Sequence, residues 1–264
     1  MNTQSEKAEA QKKHAKPKKT QNNTVVRRVI NIILLTAWVG VVLYLCGYIV
    51  SYGVYGLCWL LRVPMPTTPV WMTLYNTLIY TLAVIIIVFI PVKVFKVWKT
   101  NRNELGFSRL LPTWSDLGLA PIGFIVYLFA AYLFLQVAAQ LFPGLNLEEA
   151  QELGYDFLSS GLDRVVAFFA LCIVSPIAEE LIFRGWLYGK LRAKIPGKFS
   201  VVLSTLIVSI LFGFMHGQWN VGLNVFVMSL VLCALREITG TIHSGIVLHI
   251  LKNTVAFALL YLII

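Results

Sequence analysis

The chain is a succession of apolar runs about 20 residues long, and runs of that length are read as membrane-spanning helices. They fall at about residues 29–50, 72–95, 118–141, 165–191, 200–215, 221–235 and 245–264. With 58% hydrophobic residues, 13% charged and a mean hydropathy of +0.76, the chain is not a soluble domain. The expected fold is all-α, a polytopic membrane bundle of about seven transmembrane helices. The first run is expected to continue as an interfacial piece to residue 61. An eighth span hidden in residues 47–61 is the alternative.

Charge gives the organisation. The net charge is +10, and residues 1–28 hold six lysines and two arginines against Glu6 and Glu9. Residues 1–24 are expected to be a disordered basic cytoplasmic tail. Residues 25–117 would be N-terminal membrane helices with a basic cytoplasmic loop, and residues 118–264 a transmembrane core. Beside a first membrane helix, the tail is read as a partner of anionic lipid at the plasma membrane, with no nucleic acid bound. Positive charge alternates from loop to loop in a pattern that places the N-terminus inside and the C-terminus outside. The acidic residues Glu148, Glu149, Glu152 and Asp156 suggest a short amphipathic surface helix. The first run is too long for a signal-peptide core. Cys46, Cys58, Cys172 and Cys233 form no CxxC, which argues against a disulfide frame or cysteine-bound zinc.

Against this background a few ionisable residues are out of place. Ser175 to Trp186 reads SPIAEELIFRGW, inside the fourth apolar run. Glu180 and Arg184 are spaced i,i+4 and share a helical face, so the arginine can hold that carboxylate. Glu179 is rotated about 100° away and need not point at the same partner. Charge at this depth is costly and by default functional.

The fifth run ends with Phe212 and His216 at i,i+4, and the seventh carries His249 and Asn253 at the same spacing. His243 stands just before the seventh, as a pore or interface residue. Glu179 lies 17 residues before Pro196 and His216 lies 20 after it. A hairpin turning there brings the two within roughly 5 Å in depth. The same arithmetic leaves His249 two to three turns from that level.

EExxxR (Glu179, Glu180, Arg184), FxxxH (Phe212, His216) and HxxxN (His249, Asn253), in this order on three membrane helices, resemble the CAAX-protease and bacteriocin-processing family, also called the CPBP or Abi group of intramembrane endopeptidases. The resemblance covers about residues 162–258, and residues 1–115 carry no assigned motif. It implies hydrolysis of a peptide bond in a membrane-associated peptide or protein. Glu179 and His216 would activate water, His249 and Asn253 would stabilise the oxyanion, and Arg184 would orient Glu180. In a bacterium it implies bacteriocin or pheromone maturation, or self-immunity.

A metalloprotease with Glu179, His216 and His249 on zinc is the rival mechanism, although HExxH is absent. The glutamate mechanism, with no cofactor, is the expectation. No rhomboid-type serine context and no intramembrane aspartate pair is present. A non-catalytic membrane scaffold or immunity protein, and a small proton-coupled transporter, are the readings from other classes. The scaffold would have little use for polar residues that are costly in lipid. The expected cavity opens toward the cytoplasm, the side of Arg192, Lys194 and Lys198.

Overall fold

The computed structural model describes residues 18–144, 146, 147, 158 and 161–261, with side chains from residue 25. The tail up to residue 17 and the acidic residues Glu148, Glu149, Glu152 and Asp156 lie outside the described residues. The described residues form seven helices: α1 Lys18–Leu61, α2 Pro69–Lys93, α3 Trp114–Leu141, α4 Gly161–Lys194, α5 Ser200–Phe214, α6 Trp219–Thr239 and α7 His243–Tyr261. The all-α polytopic reading holds. Six of these helices are long and apolar enough to cross a membrane, and α5 is shorter.

One expectation about length is corrected, that for the first helix. Helix α1 starts at Lys18, inside the stretch read as a tail, and runs unbroken to Leu61, so residues 47–61 are not a separate eighth span. Its apolar part, Val25–Leu61, has 37 residues. At 1.5 Å per residue that is about 55 Å, well beyond a hydrocarbon layer of about 30 Å. Helix α5 has only 15 residues, about 22 Å. It stops at Phe214, and a tight turn through Gly217 (φ +75°) leads into α6. Irregular backbone is tolerated at membrane depth only where protein buries it or where it lines a cavity.

Helix α4 is the centre of the bundle. Half of its apolar window is buried, against 22% for α1, α2 and α3. It touches α1, α2, α5, α6 and α7, and the core around it includes Trp186, Phe212, Met228, Leu232 and Leu248. Helices α5 and α6 cross where Gly213 faces Gly222. A Cβ on Gly213 would stand 2.8 Å from the Gly222 carbonyl oxygen, so only glycine permits this approach. The contact fixes the turn that carries His216.

The loop after α2 belongs to the bundle as well. Lys190 near the end of α4 is buried, and its ammonium donates to Glu104 Oε2 (2.6 Å) and to the Lys99 carbonyl. Arg236 on α6 donates to the Asn103 carbonyl at 2.8 Å. This basic stretch therefore grips the ends of α4 and α6. Arg192 is also tied inward, by an ion pair to Glu237 at 2.8 Å.

Candidate active site

The site begins with a break in the regularity of α4. Two π-helical stretches, Phe169–Val174 and Leu181–Leu187, flank the α-helical segment Ser175–Glu180. Pro176 accounts for the first. In the wider pattern the Ser175 N–H bonds back five residues to the Ala170 carbonyl. The next carbonyl, Leu171, would pair with the N–H of residue 176, and proline has none. Asn253 on α7 supplies a donor instead, Nδ2–H to Leu171 O at 2.8 Å. Asn253 thus closes a backbone gap and keeps its second N–H available.

The carboxylates leave α4 on different sides. Glu180 is fully buried and its Oε1 accepts from Arg184 Nη1 at 2.8 Å. Arg184 is equally buried, and its guanidinium lies 4.4 Å over the centre of the Phe212 ring. Glu179 faces a cavity of about 230 Å³ that is also lined by His216, His249 and Asn253. Its Oε1 accepts from the Tyr80 hydroxyl at 2.5 Å.

His249 stands between the two carboxylates. Its Nδ1 lies 3.1 Å from Glu180 Oε1 and its Nε2 lies 3.7 Å from Glu179 Oε2. The two glutamates, which need not share a partner, face the two nitrogens of one ring. The depth expected for His249 is corrected with it. Helices α4 to α7 are not straight rods of equal length: α4 is interrupted by two π-helical stretches and α5 is six residues shorter than α6.

His216 has a defined tautomer. Its Nδ1 is 2.8 Å from the Phe212 carbonyl, which can only accept, so Nδ1 carries the hydrogen and Nε2 of the neutral ring is free to take a proton. Burial pushes the imidazole below its ordinary value, against the pull of the Glu179 carboxylate, and so favours the neutral form. Phe212 packs edge-on against His216 and Phe183, at 4.8 and 4.9 Å between ring centres. The FxxxH spacing is thus a ring that spaces the histidine from the buried Arg184.

All six sequence-predicted residues are at this centre: Glu179, His216, His249 and Asn253 on the cavity, Glu180 and Arg184 sealed behind it. His243 is elsewhere, buried at the start of α7 with its ring edge-on to Phe107. Two ionisable cavity residues, Tyr80 and Lys252, have no part in the sequence motifs. Tyr80 comes from α2, in the half of the chain read as carrying no motif. Its signal is faint, since a tyrosine in an apolar helix has many ordinary uses. Lys252 sits between His249 and Asn253 and also lines the cavity. Its signal was plain, a lysine within an apolar run. Among the described residues no group of three or more His, Cys, Asp or Glu side chains is arranged to hold a metal ion.

Fold and site together define a polytopic membrane protein with a carboxylate–imidazole centre in a polar cavity between its helices. Residues 161–255 match the family described as Rce1-like, Type II CAAX prenyl endopeptidase Rce1-like. That segment holds α4 to α6, most of α7 and every motif residue, and over it the chain is similar to the CAAX-type intramembrane endopeptidases that the motifs resemble. Helices α1 to α3 lie outside the match. Among curated proteins and among solved structures, nothing matches the chain significantly.

Proposed function

We propose that the chain hydrolyses a peptide bond in a membrane-associated peptide or protein, with Glu179 and His216 activating the water. The observation that carries this reading is His249, held by Glu180 at one nitrogen and turned toward Glu179 and the cavity at the other. Oxyanion stabilisation needs a donor fixed in advance, and a ring pinned by a sealed, arginine-bound carboxylate is such a donor.

Each group then has a task. Glu179 takes a proton from water as the oxygen bonds to the substrate carbonyl carbon. The carbonyl electron pair moves to oxygen, and the oxyanion is met by His249 Nε2–H and the free Asn253 N–H. With Nδ1–H given to Glu180, a hydrogen on Nε2 makes the ring an imidazolium, so that Arg184 and His249 together match the charge of the two carboxylates. The proton taken by Glu179 passes to His216 Nε2 and from it to the leaving amine, the C–N bond breaks, and a carboxylic acid and an amine depart. Tyr80 steadies Glu179, and no step calls on a metal.

The alternation of basic loops supports an N-terminus in the cytoplasm, and the plasma membrane is part of the same reading. The cavity is placed toward that side. In a bacterial setting the substrate class is a peptide matured at the membrane.

Purified protein in lipid nanodiscs, given a fluorogenic prenylated peptide with a CAAX tail, tests the reading. Cleavage is expected, absent in Glu179→Gln and His216→Ala, and unchanged after verified metal removal with a strong chelator. Cleavage that disappears with the metal and returns with added zinc replaces this mechanism by a metallopeptidase. Equal cleavage by wild type and both variants ends the assignment of these residues.

A further inference from the structure

The chain partners its buried cations with carboxylates. Arg184 donates to Glu180 at 2.8 Å, and Lys190 to Glu104 at 2.6 Å. Lys252 departs from this rule. It is the only lysine or arginine among the described residues lining the 230 Å³ cavity, and no ion pair reaches it among them. The carboxylate that shares the cavity, Glu179, is engaged by Tyr80 and faces His249. A cation inside a membrane bundle, half-buried and in no ion pair although a carboxylate shares its cavity, marks a pathway or a ligand contact.

We propose that Lys252 binds a carboxylate of the substrate, an inference that rests on the peptidase reading above. The geometry on α7 supports it. Lys252 is one residue from Asn253 and three from His249, so the ammonium flanks the groups assigned to the oxyanion. Neighbouring Cα atoms are only about 3.8 Å apart, so a carboxylate held by Lys252 lies within a few residues of the reacting bond. Two parts of a peptide offer that chemistry: the C-terminal carboxylate, and an Asp or Glu side chain beside the cleaved bond. An ammonium also suits the task because it is a point charge on a flexible stem, able to follow a carboxylate that enters with the peptide. The alternative task for Lys252, neutralising Glu179, makes a different prediction. It would affect every substrate alike, whatever its charge.

The test reads binding apart from cleavage. Full-length Glu179→Gln protein in nanodiscs is titrated with a dye-labelled prenylated CAAX peptide bearing an aspartate beside the expected cleavage position. Three forms are compared by fluorescence anisotropy: the free acid, the C-terminal amide, and the acid with that aspartate changed to asparagine. Loss of a charge-assisted contact should weaken binding roughly tenfold or more. If the amide is the weak form, the bound group is the C-terminus; if the asparagine peptide is, it is the side chain. Adding Lys252→Met should abolish the discrimination, and Lys252→Arg should retain most of it. Equal binding of all three forms, no binding of any, or a uniform loss in Lys252→Met overturns the proposal. Wild type that discriminates the peptides in this way yet cuts none of them would keep the carboxylate site and sink the peptidase reading instead.

Discussion

Glu179 and Glu180 are adjacent in sequence, on one turn of one helix, and they live in different chemical surroundings. The Glu180 side is sealed: full burial, Arg184 as a fixed counter-charge, and the Phe212 ring over the guanidinium. The Glu179 side is a cavity, where the bond to the carboxylate comes from a neutral hydroxyl. A carboxylate tied to a buried arginine has its lone pairs engaged and faces no open space from which a proton could come. One held by a tyrosine keeps an oxygen free for a proton. The difference separates two tasks, orientation behind and proton transfer in front, and His249 joins them by touching both.

The sharpest break of that contrast is isosteric. Glu179→Gln should lower kcat roughly 10²–10⁴-fold, the usual contribution of a general base, while thermal stability in detergent stays near wild type. Rates within a factor of a few of wild type would remove Glu179 from the proton path.

The sealed side should respond in stability as well as in rate. Arg184→Met leaves Glu180 buried beside His249 without its counter-charge, and breaking a buried pair in this way costs about 3–5 kcal/mol. A large drop in melting temperature is expected, with activity falling as the His249 ring loses its anchor. An unchanged melting point would mean that the Arg184–Glu180 bond is dispensable.

These contrasts also show what could be read without the structure. Glu179, Glu180, Arg184, His216, His249 and Asn253 were visible because each is expensive in an apolar run and together they match the motifs of a known family, whereas Lys252 is as expensive and belongs to no motif. Helix identity was visible in the apolar runs themselves. The partners of these residues were not. Tyr80 reaches Glu179 across 99 positions of sequence, and nothing in an apolar helix distinguishes that tyrosine from one facing lipid. The level of His249 was missed because axial counting cannot see where a helix widens or tilts. The second duty of Asn253 depends on a carbonyl left over by Pro176, which emerges only once the π-helical register is known.

The front side has a milder lever in Tyr80. Tyr80→Phe removes the hydroxyl from Glu179 and leaves the ring in place, so kcat should fall about tenfold with KM little changed. That split marks a positioning residue, since substrate contact would raise KM. It would also extend the working site into α2, beyond the segment that matches the family. A rise in KM alone would make Tyr80 a part of the substrate path.

The smallest effect should come from Gly245, which lets α7 close over the sealed side. A Cβ there would stand 3.1 Å from Glu180 Oε2 and 3.5 Å from Leu232. That is tight without being impossible, and Glu180 can yield by a few tenths of an ångström. Because Glu180 Oε1 holds His249 Nδ1, the shift passes to the ring that serves the cavity. Gly245→Ala should therefore lower kcat a few-fold and leave Glu179 chemistry intact, so that its effect disappears in a Glu180→Gln background where the orienting charge is already gone. Additive losses in the double variant would show that the two sides of α4 work independently, and that His249 does not couple them.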